Sequence, residues 1–345
     1  MTDVLSPAYV ETALADLSQE KVLEIFDEKA RDHDFVLEKV GEGHHSIATA
    51  YGLIEVFTGS LPVRVRLSSP NQQKLWYLKE SIDEDLEEIG LEANWDGTLV
   101  NNGFPPGFSL SRVVRKERLN EDFMRLTVTG EGIDRFFRDA IHFRLVYPKN
   151  PDVVPQWPCL NEARKTIWPS GEDVLMKPVY TIRSFDRGEE TFDFDVFLHE
   201  GGPTAEWSLR TEVGDTVGLL GPAGGWMPVA DRMLFAGDET AIPALARSLA
   251  YLPESTVGKV FISTESSDCV QLLEKPEAVE IEWFVRQPGD HDALTQKAIS
   301  ASEEDAPYDY VWFAAHKSAA RAAKKHFQDK LGFNGETAYI AGYWK

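Results

Sequence analysis

Between Pro178 and Pro222 the sequence leaves the backbone little freedom. Tyr180-Thr181-Ile182-Arg183 reads as extended chain. Phe192, Phe194, Val196 and Leu198 then alternate with Asp193, Asp195 and Phe197, the period of a β-strand. Gly201-Gly202-Pro203 breaks that strand, a polar segment runs through Trp207, and Gly214-Asp215-Thr216-Val217 leads to a Gly-Pro stop. The pattern predicts two strands joined by a glycine turn to the start of a short helix. Such a turn leaves backbone N–H groups free at a helix N-terminus, a seat for a phosphate. Arg183 and His199 stand near its two ends as sources of charge. The plainer alternative is a pair of barrel strands with an ordinary turn.

From Asp231 onward the pattern becomes an alternation of strands and helices. Met233-Leu234-Phe235-Ala236-Gly237 is a buried strand, and Asp238 to Pro243 opens a helix predicted to reach Leu252. Strands follow at Lys259–Ser263, Glu280–Arg286, Tyr310–Ala315 and Ala338–Trp344, with helices at Asp290–Ile299 and Lys317–Leu331. This order predicts a parallel sheet with helices on both faces and ligands at the carboxyl ends of its strands. No G-x-G-x-x-G fingerprint is present.

Ahead of these segments, Phe108–Leu119, Phe123–Thr129 and Ile141–Tyr147 read as short strands, which suggests an antiparallel barrel. The stretch from Pro148 to Lys177 is irregular and proline-rich, the kind of long loop that is usually functional or mobile. Residues 1–100 read as a separate small α+β module. Leu14, Leu17, Val22, Ile25 and Phe26 form a helical stripe, 46–58 and 61–68 a hairpin about Gly59-Ser60, and 71–89 a second helix. Residues 101–107, Asn-Asn-Gly-Phe-Pro-Pro-Gly, form a linker. The expected domains are therefore 1–100, 108–229 and 230–345. His44-His45 invites a metal reading, but neighbouring residues of a strand point to opposite faces.

The net charge of −22 argues against nucleic acid as a partner. The first 100 residues alone carry −12, expected as solvated helix faces. No apolar run is long enough to span a membrane, and the N-terminal residues lack a basic-then-apolar export signal. Cys159 and Cys269 have no metal-ligand spacing, so a reduced, cytoplasmic protein without an iron–sulfur cluster is expected.

In order, Tyr180-Thr181-Ile182-Arg183, Phe197-Leu198-His199, Gly202-Pro203-Thr204-Ala205-Glu206-Trp207 and Gly214-Asp215 resemble the flavin-binding half of siderophore-interacting proteins, ferric-siderophore reductases of the ferredoxin-reductase superfamily. Ala236-Gly237-Asp238-Glu239-Thr240-Ala241-Ile242-Pro243-Ala244 and Gly342-Tyr343-Trp344-Lys345 resemble the nicotinamide half of the same family. Two departures are visible: the family's first Arg is replaced by Lys177-Pro178, and its Gly-Glu after the fourth strand is Ala315-His316. The N-terminal module is similar to a small domain of unknown function sometimes fused ahead of this family.

The resemblance implies a multidomain fold: a small α+β domain, an antiparallel β-barrel FAD-binding domain at 108–229 and a parallel-sheet NAD(P)H-binding domain at 230–345. It implies FAD as cofactor, NADPH or NADH as co-substrate and a ferric siderophore as substrate. The long loop then lies beside the flavin. Tyr180 packs on the flavin ring, Thr181 bonds near its reactive nitrogen, and Ile182 and Phe197 flank them. Arg183 and the backbone of Gly202, Pro203, Thr204 and Ala205 hold the pyrophosphate, with His199 close by and Trp207 behind the turn. Asp238, Glu239 and Thr240 face the nicotinamide. Tyr343 and Trp344 either cover the flavin or simply pack under the last strand. Arg144 and Lys345 are the expected anchors for an anionic ferric complex. No protein nucleophile or acid–base pair is required. A general ferric-chelate reductase, and a flavin-containing siderophore-binding protein that has lost nicotinamide use, are the alternatives.

Overall fold

The computed structural model describes residues 8–15, 17–32, 35–98, 103–137, 140–161, 165–223, 229–305 and 307–345. Asn101 and Asn102 of the expected linker lie outside the described residues. Contacts divide the chain into two compact units: residues 1–108 with 148–175, and residues 109–147 with 176–345.

In the first unit a six-stranded antiparallel sheet runs in the order Glu38–Gly41, His44–Ala48, Leu53–Phe57, Val63–Ser69, Ala8–Leu14 and Asp96–Gly97. Helices Gln19–Asp32 and Gln72–Glu88 supply Val22, Phe26, Leu75, Leu78, Ile82 and Leu86 to a core shared with Val10, Val56, Val65 and Leu67. Asn71 starts the second helix by accepting the Lys74 N–H at 2.8 Å.

Three expectations are corrected here. Leu14 closes a strand instead of opening the helical stripe. The run 46–58 is two strands, because the chain reverses between Thr49 and Gly52. At Gly52 φ is +157°, and a Cβ would lie 2.1 Å from the Ser68 carbonyl oxygen, so only glycine fits the turn. The segment 148–175 packs into this unit through Leu160 and Trp157, and carries a short strand pair, Cys159–Leu160 with Thr166–Ile167. It is not a loose loop, because these apolar side chains find a core to enter.

The second unit begins with an antiparallel sheet ordered His142–Pro148, Thr216–Ala223, Phe108–Arg118, Phe123–Gly130, Thr191–Phe197 and Ser184–Asp186, with Val179–Thr181 paired to His142–Pro148. One face is an aromatic core, in which Phe143 meets the rings of Phe192 and Phe194 edge-on at 5.0 and 5.3 Å. The opposite face of Thr191–Phe197 is used as well. Asp195, a formally outward position, is buried against Arg125 of the neighbouring strand.

A five-stranded parallel sheet follows, ordered Val279–Val285, Val257–Thr264, Arg232–Asp238, Tyr310–His316 and Ala338–Trp344. Helices Ile242–Ala250, Asp292–Glu304 and Lys317–Lys324 accompany it. The first of these ends two residues short of the predicted Leu252. The predicted 317–331 helix is α-helical only to Lys324 and continues as a π-helical turn, Lys325–Lys330.

Candidate flavin and nicotinamide site

The carboxyl ends of the parallel strands meet the antiparallel sheet at a cleft of about 470 Å³, within the range of small-molecule sites. Its walls are Phe123, His142, Tyr180, Thr181, Asp195, Phe197 and His199 from the first half, and Thr240, Pro243, Tyr339, Gly342 and Tyr343 from the second. Six of the expected residues, Tyr180, Thr181, Phe197, His199, Thr240 and Tyr343, thus share one cavity.

Local folding explains each placement. Register sets Thr181 opposite His142, and the Thr181 hydroxyl lies 3.3 Å from His142 Nδ1. Tyr343 reaches the other imidazole nitrogen at 3.5 Å. Burial pushes the His142 pKa down to about 4, so the ring is neutral at pH 7. Burial also pushes the Tyr180 phenol up to about 12. Helix Pro203–Arg210 starts with proline, and no side chain caps its N-terminus. A Cβ on Gly202 would sit 2.6 Å from the His199 ring, so the turn approaches His199 as closely as glycine permits. Thr204 and Ala205, in the first turn, are buried, and the Thr204 hydroxyl is 3.0 Å from that of Tyr147. Trp207 stacks on Tyr147 at 4.8 Å, behind the turn as expected.

Other expected residues lie elsewhere. Ile182 is wholly buried, and its carbonyl accepts Arg247 Nη1 at 3.0 Å. Arg183 lines a separate cavity and faces Asp195 at 3.8 Å. Glu239 is tied at both oxygens to Arg286, at 2.5 and 2.6 Å, and is not turned to the cleft. Asp238 organises the sheet end. One oxygen accepts Thr240 N and Oγ1 at 3.0 and 2.6 Å, and the other accepts His316 N and Trp344 Nε1 at 2.9 and 2.7 Å. Burial nevertheless holds its carboxyl above the usual range. Trp344 therefore packs and bonds below the cleft, while Tyr343 lines it.

Arg144 is exposed and donates to the Lys177 carbonyl at 3.0 Å. Lys345 lines another groove of about 350 Å³ with Lys317, Arg321 and Lys324, which borrows Gly342 and Tyr343 from the cleft. Arg144 and Lys345 are not brought together.

Sequence reasoning missed His142, Asp195, Tyr339, Arg286 and the lysine-rich face of helix Lys317–Lys324. Only the last had a usable signal, the spacing of Lys317, Arg321 and Lys324 on one helix face. The others depend on cross-strand register or on partners far along the chain.

An aromatic-walled cleft at the switch between an antiparallel and a parallel sheet, with a glycine turn and an uncapped helix start behind it, defines a two-part flavin and nicotinamide reductase fold. The siderophore-interacting FAD-binding domain profile matches residues 112–226, and the siderophore-interacting protein profile matches residues 230–345. The chain belongs to the siderophore-interacting protein family. Ferric vibriobactin reductase ViuB of Vibrio cholerae is 29% identical over 240 residues, 67% of this chain and 87% of that protein. The NADPH-dependent ferric-chelate reductase of Escherichia coli is 26% identical over 240 residues, 67% of this chain and 91% of that one. The crystal structure of a siderophore utilization protein from T. fusca superposes with a TM-score of 0.61 at 27% identity, covering 71% of this chain and 95% of that one.

Proposed function

We propose that this protein reduces ferric siderophores with electrons from NADPH or NADH, through FAD held in the cleft, and releases Fe(II). The observation that carries the reading is the single cleft in which Tyr180, Thr181 and His199 of the FAD-binding region meet Thr240 and Tyr343 of the following region. On this reading the antiparallel sheet is the barrel expected of a flavin domain, and the reaction belongs to the cytoplasm, where reduced nicotinamides are held.

The residues present fit the cofactor. The cleft offers aromatic walls at Tyr180 and Tyr343 for a planar ring system. The close turn at Gly202 and the uncapped start of helix Pro203–Arg210 offer backbone donors for a pyrophosphate. When bound, FAD links a two-electron donor to one-electron acceptors. One NAD(P)H gives its hydride, two Fe(III) become two Fe(II), and one proton is released. Reduction loosens the metal, because Fe(II) is the softer ion for hard oxygen ligands.

The chain's part is positioning. Neutral His142 holds the Thr181 hydroxyl toward the cleft without adding charge. Asp238 fixes Thr240, the backbone of His316 and the Trp344 indole, which sets the floor on which a nicotinamide rests. Tyr343 excludes water from the ring face. Lys345, with Lys317, Arg321 and Lys324, offers positive potential to an anionic ferric complex in a chain of net charge −22; Arg144 is the weaker candidate.

The test is anaerobic addition of NADPH or NADH to the flavin-loaded protein, then of a ferric siderophore with an Fe(II) chelator present. Bleaching followed by Fe(II) capture supports the reading. Flavin that neither nicotinamide bleaches would instead make this a flavin-containing binding protein.

A further inference from the structure

Counted in chain order, the strands of the parallel sheet lie 3-2-1-4-5, the order of sheets that seat a dinucleotide across the carboxyl ends of their strands. In that arrangement the adenosine half lies over the first three strands, and an acidic residue there meets the ribose 2′-hydroxyl. Here Val257–Thr264 is the second strand, and Glu265 follows it directly. Glu265 Oε1 accepts from Arg286 Nη2 at 3.1 Å, its side chain is 45% exposed, and no described residue donates to its other oxygen. Arg286 is not available to a phosphate. It is buried, and its two terminal nitrogens are taken by both oxygens of Glu239 and by Glu265. The segments that leave these three strand ends, 239–241, 265–269 and 286–292, carry Glu239, Glu265, Asp268, Asp290 and Asp292, and Arg286 is their only lysine or arginine. Lys317, Arg321 and Lys324 belong to the other half of the sheet, on the helix that follows the fourth strand.

We propose that the protein takes NADH in preference to NADPH, and that Glu265 is the residue that decides it. The inference rests on the reductase reading and narrows its co-substrate. A carboxylate beside the ribose accepts a hydrogen bond from the 2′-hydroxyl and repels a 2′-phosphate. NADPH would bring a phosphate dianion to this carboxylate, with Arg286 already committed to two others' worth of charge in Glu239 and Glu265. Pulling Arg286 away to meet the phosphate would strand Glu239, which is 3% exposed. Selectivity thus comes from a built-in repulsion as much as from the added hydrogen bond.

Anaerobic bleaching of the flavin-loaded protein by NADH and by NADPH tests this, with 5′-AMP and adenosine 2′,5′-bisphosphate titrated by calorimetry beside them. The two mononucleotides differ only at the 2′ position and involve no hydride transfer. Bleaching should be at least about tenfold more efficient with NADH at low salt, the margin narrowing as salt rises. The bisphosphate should bind at least about tenfold more weakly than 5′-AMP. Glu265→Gln should bring both ratios to within about threefold of one, and Glu265→Arg should invert them. Glu254→Gln removes an exposed carboxylate at the opposite, amino end of the second strand and should leave both ratios where they were. Equal or better use of NADPH, ratios unmoved in Glu265→Gln, or the same shift in Glu254→Gln would each overturn the proposal. If neither nicotinamide bleaches the flavin while 5′-AMP still binds the more tightly, the reductase reading falls and the discrimination at Glu265 stands.

Discussion

Trp344 donates its indole N–H to the Asp238 carboxylate at 2.7 Å, and so pins the last strand of the parallel sheet to the carboxyl end of its middle strand. Asp238 has only 3% of its surface exposed, and its four accepted hydrogen bonds do not fully offset the loss of water, since its carboxyl still titrates above the usual range. A raised carboxyl pKa means that the folded state holds a proton which the unfolded state has released. Stability from this group is therefore greatest below about pH 4 and falls as pH rises toward the folded value. Trp344→Phe removes one donor to the carboxylate and should raise that pKa further. The expected loss is about 1–2 kcal/mol at pH 7 and less at pH 4. Urea unfolding at the two pH values measures it, and an equal loss at both would show that the indole acts only by packing.

Arg286 and Glu239 form a buried pair, and Glu265 adds a second carboxylate at 3.1 Å. Arg286→Met leaves Glu239 charged and unmatched, which should cost about 3–5 kcal/mol. The double variant Glu239→Met/Arg286→Met should recover most of that, because two apolar chains of similar volume replace two desolvated charges. A double-mutant cycle in urea decides the matter. If the double variant is as unstable as the single one, the pair's packing matters more than its charge.

These two pairs show what could and could not be read beforehand. Asp238, Glu239 and Thr240 stood out as a motif, but three adjacent residues were given one role, and the fold gives them three. Asp238 bonds the sheet ends together, Glu239 faces Arg286 just past the end of the next-but-one strand, and only Thr240 lines the cleft. The partner of Glu239 lies 47 residues away, a distance across which no periodicity speaks. The strands were legible because alternation and buried runs are local signals. The first strand, Ala8–Leu14, was not, because its Val10 and Leu14 also fit the spacing of a helix. The cleft could be sketched from motifs, whereas His142 enters it through a register that only the pairing of Val179–Thr181 reveals.

His142 should make the protein sensitive to acid. Its pKa, down to about 4 from an ordinary 6.5, means that the folded state resists a proton which the unfolded state accepts. Stability from this group is complete above about pH 6.5 and is lost as pH falls toward 4, by up to about 3 kcal/mol. His142→Asn should lower stability at pH 7 and flatten its dependence between pH 6.5 and 4. Thermal midpoints across that window provide the check; an unchanged slope would assign the acid sensitivity to other groups.

Gly202→Ala should act on the cofactor more than on the fold. The φ of Gly202 is −79°, which any residue adopts, so the backbone is not strained by a side chain. The added methyl meets the His199 ring, and that ring is exposed enough to swing away. Displacing His199 from the cleft should weaken flavin by about tenfold, the effect of losing one charge-assisted or well-placed hydrogen bond. The thermal midpoint of flavin-free protein should stay within about 2 °C of the parent, since surface changes are usually small. Flavin absorbance after dialysis measures occupancy, and full retention would remove the turn from the pyrophosphate seat.

Deleting residues 1–103 tests where the N-terminal unit truly ends. The linker at 101–107 suggests a clean cut, yet segment 148–175 groups with residues 1–108. Within that unit Leu160 N–H bonds the Gly103 carbonyl at 3.2 Å, Trp157 lies 6.1 Å from Phe108, and Leu160 packs on the helix core. The deletion would strip Gly103 and the helix core, keep only Phe108 beside Trp157, and leave much of an irregular apolar segment in water. Simple truncation should therefore give a protein cleaved rapidly by trypsin or chymotrypsin between residues 148 and 175, and prone to aggregate. Removing residues 1–107 and replacing 149–174 by a short Gly-Ser linker should restore solubility and resistance, because the remaining sheets keep their own cores. Flavin binding is expected in this shortened chain, since every residue of the cleft belongs to the retained unit. If the simple truncation resists protease as well as the parent does, the segment holds its shape without the N-terminal unit, and the boundary lies at the linker after all.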